Sequence, residues 1–208
     1  MEYLILVRHG LSTYNKQGLW TGWDDPDLAP EGVAEAKQAA STITDIPIDL
    51  GYTSVQKRHK DTLNIIKKDL NKESIPVVEN VALNERDYGV YTRKNKWRIK
   101  KQLGDEEFQK IRRSWDYPIP EGESLKQVYG RVVRYFESTI LPQLKAGKNV
   151  IISSSGNALR SLVKYLENIS DDDISKLEIA TGEVYIYKLD NEGKIINKEI
   201  RNQHPNIA

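Results

Sequence analysis

The sequence contains no cysteine. That excludes a disulfide framework, a thiolate metal site and a cysteine nucleophile, and it fits a reducing compartment, so a cytoplasmic location is expected. Neither charge is in excess, with 31 Lys and Arg against 30 Asp and Glu for a net +1. Such a balance favours neither nucleic acid nor a membrane surface as partner, although a local basic pocket can sit within it. Long apolar runs are missing too; Leu4 to Val7 is too short for a membrane span or a signal peptide. The three histidines are scattered singly, without metal-ligand spacing, and no metal is expected. There is no internal repeat, low-complexity tract or linker. What remains is a chain of 208 residues, 38% hydrophobic and 29% charged, enough for one domain (1–208) with a real core.

Hydrophobic patterning predicts the elements. Tyr3 to Val7 reads as a buried strand, followed by a turn at His9-Gly10. Glu31 to Ile43 carries a helical stripe after Pro30, and Gly51 to Ser54 reads as the end of a second strand. A helix is expected from about Gln56 to Leu70. The longest helical pattern runs from Ser124 to Leu144, with Leu125, Val128, Val132, Phe136, Ile140 and Leu144 at spacings of three or four, and Gly147 ends it. Asn149 to Ser153 is another buried strand, Ala158 to Glu167 another helix, and Val184 to Tyr187 a last strand. This alternation argues for an α/β fold: three layers, a mostly parallel sheet with helices on both faces. Ligands then belong at the carboxyl ends of the strands. Residues from about 80 to 122 are polar and rich in Trp, Arg and Tyr, and are expected to form a lid-like insertion over those ends.

Three strand ends carry unusual chemistry. Val7-Arg8-His9-Gly10 places an arginine and a histidine just past a buried strand, with a glycine that lets the backbone turn. Ser54-Val55-Gln56-Lys57-Arg58 adds a second arginine. Ser153-Ser154-Ser155-Gly156-Asn157 offers backbone amides at a helix start, where an anion is welcome. Each piece alone is ordinary, but all three in order around one histidine describe a phosphate site. Arginine forks suit phosphate oxygens, and a neutral imidazole can attack phosphorus.

The same segments, joined by Trp20-Thr21-Gly22-Trp23, Leu83-Asn84-Glu85-Arg86 with Tyr88-Gly89, Asn95-Lys96, Arg112-Arg113-Ser114 and Thr181-Gly182, make the chain resemble the cofactor-dependent phosphoglycerate mutases of the histidine phosphatase superfamily. The match runs from about Leu4 to Leu189. The resemblance implies a phosphohistidine at His9. It implies that Arg8, Arg58, Asn15, the Gly156 amide and Asn157 hold the transferring phosphoryl group, and that Ser12 is a substrate-binding residue beside them. Glu85 would exchange the proton of the substrate hydroxyl. Thr21, Gly22, Arg86, Tyr88, Lys96, Arg112 and Arg113 would grip the carboxylate and second phosphate of a small phosphorylated glycerate. It further implies 2,3-bisphosphoglycerate as primer, no metal, and a homodimer.

Several positions depart from that family. Ser155 stands where it has a second histidine, whose charge faces the phosphorus. A hydroxyl supplies one hydrogen bond and no charge, and losing one such donor costs about 10²–10³ in turnover. Leu11, Asp87, Arg93 and His59 also depart. His59 follows Arg58 on a helix and is expected to point away from whatever Arg58 faces; His204 lies in the tail. Three readings stay open: a mutase slowed by Ser155, a regulatory phosphoglycerate-binding homologue, and a phosphatase.

Overall fold

The computed structural model describes residues 1–203. Its first strand, β1 (Glu2–Arg8), alternates its faces: Leu4 and Leu6 point into one apolar cluster, Ile5 and Val7 into another. A strand buried on both faces belongs in the middle of a covered sheet, and β1 sits there. Along the chain follow α1 (Thr13–Lys16), α2 (Pro30–Ser41), β2 (Leu50–Thr53), α3 (Lys57–Asp69), β3 (Val77–Glu79), α4 (Lys96–Leu103) and α5 (Asp105–Arg113). Then come α6 (Leu125–Tyr135), α7 (Leu141–Lys145), β4 (Val150–Ser154), α8 (Gly156–Glu167), β5 (Val184–Leu189) and β6 (Ile195–Arg201). The sheet order is β3-β2-β4-β1-β5-β6. The first four neighbours run parallel, and β5 and β6 are antiparallel additions. Helices α6 and α8 pack on one face through Val128, Val132, Phe136, Leu159 and Leu162. On the other, α2 and α3 pack through Ala39, Ala40, Leu63 and Ile66.

Three sequence expectations change in detail. Val184 to Tyr187 is not the last strand: after the turn at Asp190, whose carboxylate accepts from the amides of Glu192 and Lys194, β6 returns along β5. Both β6 and β3 are edge strands without a fully buried residue, and β3 is only three residues long, so neither carries a strong burial pattern. The long helix from Ser124 is continuous but widens to π geometry over Phe136–Ile140 before α7. Pro142 has no N–H to give and crowds the carbonyl one turn back, which accounts for the widened turn. The Ser124 side chain starts α6 with a capping box to Gln127.

Gly10 is required by proximity rather than by an unusual backbone angle. A Cβ there would lie 2.1 Å from the Gly32 carbonyl oxygen, and one on Gly32 would lie 2.2 Å from that of Leu11. The turn after β1 thus rests directly on the first turn of α2. Residues 80–122 form α4, α5 and short 3-10 turns around their own apolar cluster of Tyr88, Ile99, Phe108, Ile111 and Ile119, joined by Trp20. They stand beside the carboxyl ends of β1, β2 and β4. Arg131 of α6 anchors their start, donating to the carbonyls of Ala82, Asn84 and Glu85 and to the Glu123 carboxylate at 2.8–2.9 Å.

Candidate active site

The register sets the site. Arg8 lies beside Ser154, and the His9 amide donates to the Ser154 carbonyl at 2.9 Å. His9 therefore emerges where β4 gives way to α8. Its Nδ1 lies 2.7 Å from the Gly10 carbonyl, which can only accept, so Nδ1 carries the proton and Nε2 keeps its lone pair. Burial first, then Arg58 and Arg8, push the His9 pKa well below its ordinary value, leaving a neutral imidazole at physiological pH.

The cleft around His9 has a volume of about 60 Å³. Arg8, Asn15, Thr21, Arg58, Glu85, Tyr88, Lys96, Arg112, Arg113, Gly156 and Asn157 line it, as do Leu19, Trp20, Arg160 and Ile179. Six cationic side chains thus face one carboxylate, Glu85. Four more of the expected residues lie outside the lining. Ser12 caps α1 and engages the Asn15 side chain, so it orients a cleft residue. Gly22 presents its carbonyl to Gln56 and Arg58. Arg86 is fully buried, donates to the carbonyls of Ile111 and Arg112, and lies 4.4 Å over the Tyr88 ring, tying α5 to the Glu85 loop. Ser155 precedes α8 with no exposed surface, and its hydroxyl has no hydrogen-bond partner among the described residues.

Glu85 is held from several sides. Its amide donates to Gln56 Oε1 at 2.8 Å, and its carbonyl accepts from Trp23 Nε1 and Arg131. Its carboxylate Oε1 accepts from the Arg86 amide at 2.6 Å and from Asn157 Nδ2 at 3.0 Å. Sequence reasoning missed three residues: Gln56 and Arg131, which act mainly on backbone carbonyls and amides that no side-chain pattern reveals, and Arg160, which also reaches the Asn157 side chain. Arg160 lies four residues after Gly156, and that helical spacing was the available signal.

His59 does not point away. It is fully buried beside Arg58, its ring centroid 5.0 Å from that of His9, with Nδ1 2.5 Å from Ser54 Oγ. The first turn of α3 is wedged between the sheet end and the loop at residues 21–25, so adjacent positions both face inward: Arg58 reaches the Asp24 and Gly22 carbonyls while His59 reaches Ser54. Burial, then Arg58, His9 and Arg8, keep His59 neutral. His204 lies outside the described residues. Arg93 adopts φ +66°, a backbone angle that favours glycine, and forks onto Asp24. Leu11 is buried with its amide on Glu35, and Asp87 accepts from the Gly89 amide.

Lys96 is pushed down to about 7, by burial first and then by Arg112, Arg8 and Arg113, with Glu85 opposing. In the unfolded chain it titrates near about 10.4. Between these values the unfolded state binds the extra proton, so this group makes the empty protein more stable as pH rises above about 7. An anion in the cleft favours the ammonium, so anion affinity should fall over the same range, by up to about tenfold per pH unit. Thermal melts and ligand titrations across this range check both signs, and Lys96→Met should flatten both slopes. An affinity that holds steady through the range would count against a titrating Lys96.

Among the described residues no three His, Asp or Glu are grouped to hold a metal, and no helix is long and apolar enough to cross a membrane. Residues 4–200 match the histidine phosphatase superfamily (branch 1), and the chain belongs to that family. A 2,3-bisphosphoglycerate-dependent phosphoglycerate mutase of Parvibaculum lavamentivorans (strain DS-1) is 43% identical over 95% of this chain and 95% of its own. One of the same name from Chelativorans sp. (strain BNC1) is 44% identical over 95% and 97%. The solved structure of Bacillus stearothermophilus YhfR superposes with a TM-score of 0.84 at 22% identity, covering 100% of both chains.

Proposed function

We propose that this chain is a cytoplasmic, glycolytic phosphoglycerate mutase that interconverts 2- and 3-phosphoglycerate through a phosphohistidine at His9, primed by 2,3-bisphosphoglycerate. The observation that carries the reading is the pairing of His9, proton fixed on Nδ1, with Glu85 in one cationic cleft. The cleft suits a ligand of several negative charges: beside its cations, Thr21 Oγ1, Arg58 Nε and Arg160 Nε are buried polar atoms without hydrogen-bond partners among the described residues. Bisphosphoglycerate, when bound, supplies the phosphoryl group. His9 Nε2 then attacks phosphorus, and the P–O bond breaks with its electron pair on the leaving oxygen. Arg8, Arg58 and the Gly156 amide offset charge on the phosphoryl oxygens. Glu85 gives its proton to the departing hydroxyl and takes one from the incoming hydroxyl. Lys96, Arg112 and Arg113 hold the carboxylate and the second phosphate.

A coupled mutase assay with and without bisphosphoglycerate tests this: turnover should require the primer and label His9 with acid-labile phosphate. Release of inorganic phosphate without isomerisation would make the chain a phosphatase. Ser155, neutral and outside the cleft lining, favours a second reading, a phosphoglycerate-binding homologue with little turnover. In that case bisphosphoglycerate raises the melting temperature, as any ligand of the folded state does, but no label appears.

A further inference from the structure

Arg160 has 1% of its surface exposed and lies one helical turn after Asn157 on α8. One guanidinium nitrogen holds α8 to its surroundings, donating to the Ile174 carbonyl at 2.7 Å and to the Arg113 carbonyl at 3.3 Å. The other donates to Asn157 Oδ1 at 2.9 Å. A guanidinium only donates, so it fixes which end of the amide is oxygen. Both Nδ2 hydrogens then point away, one to Glu85 Oε1 at 3.0 Å and one to the Tyr88 hydroxyl at 3.1 Å. Turning the amide over would set donor against donor at Arg160 and oxygen against oxygen at Glu85. With Asn157 and the Arg86 amide both on Oε1, Oε2 is the Glu85 oxygen without a protein partner among the described residues, the one left to exchange a proton.

We infer that Arg160 is a positioning residue for acid–base catalysis: through the Asn157 amide it aims the Glu85 carboxylate at the substrate hydroxyl. This rests on the proton-transfer role of Glu85 proposed above. The relevant step is attack of His9 Nε2 on phosphorus, cleavage of the P–O bond, and passage of the Glu85 proton to the departing oxygen. An alkyl leaving group such as glycerate needs that proton. A p-nitrophenolate leaves with the bond's electron pair and needs none, so the ratio of the two phosphorylation rates reports the acid.

The test is single-turnover phosphorylation of His9 by 2,3-bisphosphoglycerate and by p-nitrophenyl phosphate. Arg160→Lys keeps the charge but loses the fork. It should lower the alkyl-to-aryl ratio by about 10–100-fold, a part of the roughly 10²–10⁴-fold that general acid–base catalysis supplies. In a Glu85→Gln background the same change should move the ratio less than about twofold, because groups acting as one unit are not additive. Asn157→Asp, which faces Glu85 with a second carboxylate oxygen, should lower the ratio likewise and keeps the inference testable if Arg160→Lys does not fold. Equal losses with both donors would make Arg160 a merely structural tie and overturn the inference. Absence of label from either donor in the unsubstituted protein would instead defeat the proposed function.

Discussion

His9→Gln should yield a folded protein that takes up no acid-labile phosphate from 2,3-bisphosphoglycerate, with turnover down by about 10⁵-fold or more, the scale seen when a nucleophile is removed. Glutamine is close in size and keeps a donor for the Gly10 carbonyl, so the packing around position 9 survives. What disappears is the imidazole lone pair proposed to bond to phosphorus. The next imidazole, His59, cannot take over: it has no exposed surface, does not line the cleft, and spends Nδ1 on Ser54. Phosphate retained on the substituted protein would move the nucleophile elsewhere, and peptide mapping of the label would say where.

The second large effect concerns Ser155. Supplying an imidazolium at this position should raise phosphorylation by about 10²–10³-fold, the worth of one well-placed donor to the transferring group. The fold adds a condition. Strand β4 lies between β2 and β1, and the His59 ring bridges from Ser54, beyond β2, to His9, beyond β1, across the end of β4 where Ser155 begins the turn into α8. Ser155 has no exposed surface there, and its small size is expected to leave room for that ring. Ser155→His alone therefore overpacks the strand end and should lose about 1–3 kcal/mol of stability along with much of the gain. Ser155→His combined with His59→Ala should recover both. Melting curves and single-turnover phosphorylation of the two singles and the double form the measurement. A double variant as slow as the parent would place the defect at Leu11, Asp87 or Arg93 instead.

The central elements were legible because burial imposes a pattern. β1 and β4 are buried on both faces, and the apolar positions of α6 and α7 recur every three or four residues. The edges were not: β3 and β6 meet solvent, where many residue types serve equally. At the site the same division holds. His9, Arg8 and Arg58 stood out because charged groups just past buried strands are costly without a purpose. Arg131, Gln56 and Arg160 were silent, since a carbonyl acceptor is common to every residue. His59 was misjudged because helical spacing gives direction only where one side of the helix faces water, and the first turn of α3 faces protein on two sides.

The position of β1 has a consequence for biosynthesis. His9, the proposed nucleophile, follows β1, yet Leu4 of that strand pairs with Val150 of β4 and Tyr187 of β5, which are made much later. Arg8 is tied to the Ile179 carbonyl at 2.6 Å, so even its guanidinium waits for residues made long after it. Non-local pairing of this kind is slow and comes late in folding. A nascent chain that has not reached β4, α8 and β5 therefore carries His9 without the residues that enclose it, and the cleft cannot form until they have followed.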